Sequence, residues 1–420
     1  MTDRIKLVIL GGSSLSTPLL VEALAQHGAQ AAYDIVLVGR DAERLALVLQ
    51  VSRAVLAHFP HVDFLLSTCP DAASALTGAD FCLNQIRPGG LEGRAFDESF
   101  PRALGIPGEE TLGPGGFSSA CRSVPAVLDY CRVMERIAPR VTLLNLTNPC
   151  SLVQYAVRRY TRVNTIGLCE LPILIMERVA ALLAARPSEL DFTLGGMNHF
   201  SWIIGVRHAG RERLPEVLAR IEQLPKLGIE PALARALGVI PSPFMRFYFH
   251  PDRVLKETEG KTVRAKELTA LGDEMRRDFQ GWADAGATAA SPLPATLRQR
   301  GAVWYDRIVA PVLLALAEKR SAALPLNVEN NGAVPGLPSD AIVEVLAPIA
   351  HGEVQPAPRA ELPPDVAALL RRHCVFEMLA AEAIVERDRA RALRALLANP
   401  MVKSYDQAER ILELTFDGRP

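Results

Sequence analysis

The segment RIKLVILGGSS, residues 4–14, decides how the rest of the chain is expected to fold. Its first seven residues form an almost continuous apolar run, which is typical of a strand buried in a parallel sheet. A turn of small residues follows, and Pro18 suits the first turn of the next helix. Such a corner binds phosphate, because free helix amides and the helix dipole attract anions. The turn residues expected to bind a cofactor are Gly11, Gly12, Ser13 and Ser14.

This corner lacks the full GxGxxG pattern, so a tight turn in another kind of α/β protein stays an alternative. Further strand patterns, alternating with helical periodicity, are found at residues 34–38, 63–66, 80–84 and 141–146. Alternation at this spacing predicts right-handed βαβ units and a doubly wound, Rossmann-like parallel sheet. We therefore expect an α/β protein with a nucleotide-binding domain at residues 1–166 and a C-terminal α+β domain at residues 167–420.

Details of the later elements follow from the same patterns. The polar, glycine-rich residues 85–116 are expected to form a long functional connection before a helix at 117–137. After residue 199 the periodicity becomes mostly helical. Helices are expected at 263–279, 303–318 and 364–397, with strands near 326–332 and 341–346 that return to a mixed sheet.

The end of the second predicted strand bears on the choice of cofactor. NAD-binding strands often end in an acid that binds the ribose, whereas a nearby arginine accepts the 2′-phosphate of NADP. Here Gly39 occupies the position at which that acid is expected, and Arg40 and Asp41 follow it in the sequence. Both cofactors stay open, and NAD is favoured over NADP. Arg40 and Asn84, which ends the fourth strand, are added as cofactor-binding candidates.

Composition limits the class of ligand. The chain has 420 residues, 49% of them hydrophobic, with 46 basic and 47 acidic side chains. No run of like charge is typical of a nucleic-acid or membrane partner, so a small-molecule ligand is favoured. The seven cysteines include no CxxC pair, and no signal peptide or membrane-spanning segment is expected. Free thiols favour a reducing cytoplasm.

Cys169 and His199 each follow a strand-like run. One thiolate and one imidazole make a partial metal shell with open positions. The alternative is a half-buried thiol and a hydrogen-bonded core histidine.

Many separated motifs resemble glycoside hydrolase family 4, the NAD- and divalent-metal-dependent glycosidases. The resemblance runs along nearly the whole chain and is closest to the 6-phospho-β-glucosidase branch. The motifs are GGSSLSTP (11–18), RPGGLEGRAFDESFPRALGIPGEETLGPGG (87–116), NLTNP (145–149), GLCELP (167–172), GGMNHFSW (195–202), PFMRFYF (243–249), RGAVWYD (300–306) and NVENNGAVPGLPSDAIVEV (327–345).

The resemblance implies cleavage by redox elimination. NAD+ takes a hydride from C3 of the sugar, a base removes the proton on C2, and the bond to the aglycone breaks by elimination. Water then adds to the unsaturated sugar, and NADH returns the hydride. A divalent metal, usually Mn2+, stabilises negative charge on the sugar oxygens. Cys169 and His199 match the family's metal ligands, and Tyr248 is the candidate base. A core aromatic whose hydroxyl meets a backbone carbonyl is the alternative for Tyr248.

Glu170 departs from the family pattern, which has Asn in the β-acting branch and Asp or His in α-acting branches. Its carboxyl could protonate the leaving oxygen, orient the metal site, or serve only as a helix N-terminal charge.

Substrate contacts also follow from the resemblance. Arg87 and Arg94 are expected to hold a sugar 6-phosphate, unless they only pair with nearby carboxylates. Asn148, Asn198 and Glu110 are expected to contact the sugar. Family members are commonly dimers or tetramers, so a homodimer or homotetramer is expected.

Two alternatives of function stay open. A lactate/malate-type 2-hydroxyacid dehydrogenase would share the nucleotide-binding fold, but it needs no metal cysteine. A family 4 member that acts on unphosphorylated α-glycosides or uronides would share the whole pattern, and Glu170 leaves that alternative open.

Overall fold

The computed structural model describes residues 4–225, 227–288 and 291–417. The strands are β1 (Ile5–Leu10), β2 (Tyr33–Val38), β3 (Phe64–Cys69), β4 (Phe81–Asn84), β5 (Thr142–Asn145), β6 (Asn164–Leu168), β7 (Leu190–Met197), β8 (Phe200–His208), β9 (Arg211–Glu212), β10 (Ile240–Pro241), β11 (Ala322–Glu329), β12 (Ile342–Ala350) and β13 (Glu353–Val354).

The helices are α1 (Thr17–Gln26), α2 (Ala42–Leu56), α3 (Ala72–Leu76), α4 (Gly90–Ala103), α5 (Gly113–Ile137), α6 (Cys150–Tyr160), α7 (Leu171–Leu182), α8 (Leu214–Ala219), α9 (Pro231–Leu237), α10 (Arg246–Phe249), α11 (Pro251–Thr258), α12 (Arg264–Asp284), α13 (Ala310–Ala317), α14 (Pro364–Glu386), α15 (Arg389–Ala398) and α16 (Tyr405–Thr415). A π-helical turn at Tyr305–Val309 leads into α13.

The main sheet has the strand order β13-β12-β11-β6-β5-β4-β1-β2-β3. The six strands from β3 to β6 pair in parallel in the order of a dinucleotide-binding fold. β11 joins β6 antiparallel, with Leu326 opposite Leu168. The expected mixed extension of a doubly wound sheet is therefore confirmed.

Both faces of this sheet are covered, as continuous apolar strands require. Along β1, Val8 and Leu10 face one buried core, while Leu7 and Ile9 face the other. β11–β13, which belong to the C-terminal half, complete the sheet of the N-terminal half. The division of the chain at 166/167 stays a prediction.

A smaller sheet lies beside the main one. Its order is β10-β8-β7, and β7 and β8 form a hairpin in which Met197 pairs with Phe200. Asn198 and His199 are therefore the two residues at the tip of this hairpin. The smaller sheet thus serves to present one pair of polar side chains.

Three expectations about elements were wrong. Residues 90–103 form α4 rather than open connection, and the apolar Phe96 and Phe100, one turn apart, stack on each other at 4.9 Å. α5 begins at Gly113 instead of residue 117. The helix expected at 364–397 is two helices, separated where Arg387 adopts a left-handed conformation with φ 55°.

The chain after His199 first forms β8 and is then mostly helical, as expected.

No helix in the described part of the chain is long and apolar enough to cross a bilayer.

Candidate active site

The turn after β1 leads into the N-terminus of α1, whose dipole attracts anions. α1 begins at Thr17, and its N-cap residue Ser16 makes no side-chain capping hydrogen bond. The amides of Thr17 and Leu19 donate to the carbonyls of Ser14 and Ser16, at 2.9 and 3.0 Å, and Pro18 has no N–H. Gly12 allows close approach, since a Cβ there would lie 2.8 Å from the backbone nitrogen of Val38. This corner has the shape that a cofactor pyrophosphate needs.

A buried tyrosine supports the same turn from behind. The Tyr305 hydroxyl donates to Gln85 Oε1 at 2.6 Å. The amide of Gln85 in turn donates to the Gly11 carbonyl at 3.1 Å and to Thr17 Oγ1 at 3.2 Å. The π-helical turn that starts at Tyr305 thereby fixes both ends of the phosphate corner.

The two other cofactor candidates differ in what they contact. Arg40 lies exposed just after β2, beside Asp41, whose carboxylate accepts from the Arg44 amide at 3.0 Å and caps α2. Asn84 is 1% exposed, and its Nδ2 donates to Asn145 Oδ1 at 2.8 Å. Asn84 thus ties the ends of β4 and β5 together.

The hairpin tip holds His199 in a fixed orientation. His199 has φ 62°, and its ring stacks on Phe244 at 3.9 Å. Its Nδ1 lies 2.8 Å from Thr111 Oγ1. Burial lowers the pKa of His199 to about 3, so the ring is neutral and can act as a metal ligand.

Glu344 is a shared neighbour of both predicted metal ligands. Its carboxylate accepts from Asn198 Nδ2 at 3.0 Å and from Ser201 Oγ at 2.7 Å, on either side of His199. Burial raises the pKa of Glu344 to about 7. Burial also raises the pKa of the Cys169 thiol, and the charges of Glu344 and Glu170 raise it further. Asn198, which was expected to contact the sugar, thus donates its side-chain N–H to Glu344.

These donors fit a catalytic metal rather than a closed structural one. In the described residues, no group of three or more His, Cys, Asp and Glu side chains is arranged to hold an ion. Cys169 and His199 would supply two ligands and leave the other positions to substrate and water. A metal there would also favour the thiolate that burial disfavours.

Two candidate proton-transfer groups lie near this centre. Glu170 is the N-cap residue of α7, makes no capping hydrogen bond, and has its pKa raised by burial. Tyr248 lies in α10, with its ring 6.3 Å from that of Phe200, the residue after His199. Arg246, which begins the same helix as Tyr248, forms an ion pair with Glu257.

An arginine cluster lies just beyond β4. Arg94 pairs with Glu98 and Glu110, each at 2.7 Å, and Arg87 pairs with the other oxygen of Glu110. Both oxygens of Glu110, a sugar-binding candidate, are therefore engaged. Asn148, the remaining substrate candidate, is half-buried before the cis bond to Pro149.

Arg300 completes the cluster. It is half-buried, and no carboxylate in the described ranges lies within ion-pair distance of it. Burial lowers the pKa of Arg300, as do the positive charges of Arg87 and Arg94. Arg87 and Arg94 are paired with carboxylates, whereas Arg300 lies over the Trp304 ring, 5.4 Å from its centroid, and is the guanidinium left to pair with an anionic ligand. This arrangement suits a dianionic ligand.

Two family models cover most of the chain. The family 4 glycosyl hydrolase model matches residues 6–185, and the family 4 glycosyl hydrolase C-terminal domain model matches residues 194–402. The probable 6-phospho-beta-glucosidase of Bacillus subtilis is 30% identical, over 98% of this chain and 96% of its own. The chain belongs to glycosyl hydrolase family 4.

Relatives of this family 4 hydrolase act on both anomers. The 6-phospho-beta glucosidase from Thermotoga maritima, solved with manganese, NAD+ and glucose-6-phosphate, has a TM-score of 0.87 and 26% identity, over 98% of this chain and 97% of that one. The maltose-6'-phosphate glucosidase of Bacillus subtilis is 27% identical over 97% of this chain and 94% of its own. The family is shared, whereas the linkage specificity differs between these relatives.

The expected likeness of fold to lactate and malate dehydrogenases is also confirmed. Malate dehydrogenase from Salinibacter ruber has a TM-score of 0.53 at 13% identity, over 92% of this chain and 99% of that one. A match at this level of identity shows a common fold and is no evidence of a shared activity. The family assignment favours the glycosidase prediction over the dehydrogenase alternative.

Three residues of the family 4 site were missed as candidates. Thr111, Arg300 and Glu344 each lie in a quoted motif, but none was given a role. The sequence did contain a signal for Arg300, because this residue begins the motif RGAVWYD and is a further arginine beside the two expected to bind phosphate. Thr111 and Glu344 had none, because their roles depend on contacts with residues 88 and 146 positions away.

Proposed function

We propose that this enzyme hydrolyses 6-phospho-β-glucosides, using NAD+ and a divalent metal such as Mn2+. The observation that carries the proposal is Arg300, a half-buried guanidinium without a carboxylate partner among the described residues, held beside Arg87 and Arg94. A buried charge needs compensation, and a phosphate dianion supplies it with bidentate geometry. The Thermotoga maritima relative solved with glucose-6-phosphate supports this choice of ligand.

The nucleotide would lie on the corner formed by Gly11, Gly12, Ser13 and Ser14, at the N-terminus of α1, whose dipole attracts phosphate. The metal would be held by Cys169 and His199. When bound, NAD+ supplies reversible hydride transfer at C3, and the metal supplies Lewis-acid stabilisation of the sugar oxygens.

Tyr248 is proposed to remove the proton on C2. It is half-buried beside the hairpin that carries His199, and its hydroxyl forms no hydrogen bond with any residue that the structure describes. A hydroxyl free of protein partners can be reached by both substrate and solvent. This favours the catalytic alternative for Tyr248 over that of a core aromatic bonded to a carbonyl.

Glu170 is proposed to protonate the leaving oxygen. Burial raises its pKa, which keeps more of the carboxyl in the protonated form that a general acid needs. Asn148 is proposed to contact sugar hydroxyls. Asn198 and Glu110 would act by holding His199 and the arginines in place, since both are already engaged with protein partners.

Oligomeric state and location complete the proposal. The expected homodimer or homotetramer stays a prediction, which sedimentation velocity would measure. A thiolate metal ligand requires reducing conditions, so we propose a cytoplasmic enzyme.

The test is cleavage of nitrophenyl glucosides, α and β, each with and without a 6-phosphate. We expect cleavage only when NAD+ and Mn2+ are both present under reducing conditions, with the 6-phospho-β-glucoside the best substrate. NADP+ in place of NAD+ should support less turnover. Cleavage without NAD+ would contradict the proposed reaction. A preference for an α-linked, unphosphorylated or uronide substrate would contradict the proposed substrate and leave the reaction standing.

A further inference from the structure

The His199 ring has a hydrogen-bonded neighbour at Nδ1, the nitrogen across the ring from Nε2. Its Nδ1 lies 2.8 Å from Thr111 Oγ1. The same Thr111 hydroxyl is hydrogen-bonded to the Glu109 carboxylate through Oε2. Glu109, Thr111 and His199 are all buried, with exposed fractions of 9%, 6% and 8%. The three side chains therefore form one chain of hydrogen bonds that bulk water does not enter.

The direction of the protons follows from the other partners of Glu109. Oε2 of Glu109 accepts from the backbone N–H of Thr111 at 2.5 Å and from that of Leu112 at 2.8 Å. An oxygen that accepts two amide protons has too few lone pairs left to carry a proton of its own. Oε2 is therefore the unprotonated oxygen of this carboxyl, even though burial and the charge of Glu110 raise the pKa of Glu109 to about 7. The proton between Glu109 and Thr111 is therefore on the threonine.

A threonine hydroxyl has only one proton to donate. Since Thr111 donates it to Glu109, its oxygen can only accept from His199. Nδ1 of His199 must then bear a hydrogen, and Nε2 must carry the free lone pair. Stacking on Phe244 at 3.9 Å holds the plane of the ring.

We propose that Thr111, anchored by Glu109, is a positioning residue that holds His199 as the Nδ1–H tautomer and so presents a bare Nε2 to the metal. Metal-bound histidines usually donate their other N–H to an oxygen in this way, and removing that partner typically weakens metal binding about 10- to 100-fold. The metal in this inference rests on the proposed function, whereas the tautomer does not.

The first experiment reads the tautomer in the metal-free full chain. Long-range 1H–15N spectra of protein labelled at histidine distinguish a protonated from a bare ring nitrogen, and the variant H199Q identifies the His199 signals. We expect Nδ1–H and a bare Nε2 in the wild type and in Thr111→Ser, and a mixture of tautomers in Thr111→Val. The Nε2–H tautomer in the wild type would overturn the proposal.

The second experiment measures Mn2+ affinity at pH 8 with NAD+ bound, from the EPR signal of free Mn2+. We expect Thr111→Val to raise the dissociation constant at least about 10-fold, and Thr111→Ser to stay within about 3-fold of the wild type. Thr415→Val is the matched control, because it removes a buried hydroxyl that donates to the Ile411 carbonyl within α16 at 2.6 Å.

The two experiments separate the possible failures. Equal Mn2+ affinity in Thr111→Val and the wild type would overturn the positioning role. A wild type that shows the Nδ1–H tautomer but binds no Mn2+ would contradict the proposed function. It would still support the role of Thr111 in fixing the tautomer of His199.

Discussion

The phosphate corner and the metal centre are built in different ways. The corner is formed mainly by the main chain of one continuous segment, residues 11–17, with support from Gln85 and Tyr305. The metal centre depends on side chains from distant segments: Thr111, Cys169, Asn198, His199, Phe244 and Glu344. A site made of backbone depends on local sequence, whereas a site made of side chains depends on the whole fold. The two sites should therefore respond separately to substitution.

The largest effect is expected from removing a metal ligand, which should impair the metal centre and leave the phosphate corner unchanged. Replacing Cys169 with serine removes the soft ligand, and we expect kcat to fall about 1000-fold, roughly 4 kcal/mol of transition-state stabilisation. NAD+ affinity, measured by calorimetry, should stay within about 2-fold, because the corner shares no side chain with the metal centre. Cys69→Ser is the control, since Cys69 lies at the end of β3, is half-buried, and its thiol donates to the Asp71 carbonyl at 3.1 Å. Full activity in Cys169→Ser would remove Cys169 from the metal site.

A smaller effect is expected at the arginine cluster, which belongs to neither site. Arg300→Gln should lower kcat/KM for the 6-phosphorylated glucoside about 100-fold, through loss of charged hydrogen bonds worth about 3 kcal/mol. Activity on the unphosphorylated glucoside should change by less than about 3-fold, because that substrate brings no phosphate. Arg298→Gln provides a matched control from the same segment, as Arg298 pairs with Glu22 and is 59% exposed. Equal losses on both substrates would show that Arg300 does not bind the phosphate.

The smallest expected effect is at the support of the phosphate corner. Tyr305→Phe removes one hydrogen bond to Gln85, worth about 1 kcal/mol, so the dissociation constant of NAD+ should rise about 5-fold. Mn2+ affinity should not change. Tyr155→Phe removes a comparable hydrogen bond to Glu382, at a site distant in the sequence from the phosphate corner, and should leave both affinities as they are. A loss of Mn2+ affinity in Tyr305→Phe would show that the two sites are coupled.

The same contrast explains what could be predicted from sequence. The apolar run of β1, the small-residue turn and Pro18 act locally, so the strand, the turn and α1 could all be predicted. Cys169 and His199 could be proposed because they end apolar segments and match a family motif. The partners that hold them could not be predicted, since Glu344 reaches Asn198 only after β12 has packed beside the hairpin.

The helix α4 shows a second limit. Its sequence begins Gly-Leu-Glu-Gly and contains Pro101, which lowers intrinsic helix propensity. Tertiary contacts override that propensity, because Asp97 pairs with Arg122 of α5 and Glu98 accepts from the Ala265 amide at the start of α12. These partners lie 25 and 167 residues away in the chain, beyond the reach of local patterns.

The most direct test of the account is hydrolysis of the 6-phospho-β-glucoside in D2O with NAD+ and Mn2+. The glucose 6-phosphate released is then examined by NMR for deuterium at C2. Redox elimination removes the C2 proton and returns one from a group in contact with solvent, so the account predicts deuterium at C2 of the product. Cleavage with protium retained at C2 would show direct displacement at C1 and contradict the account.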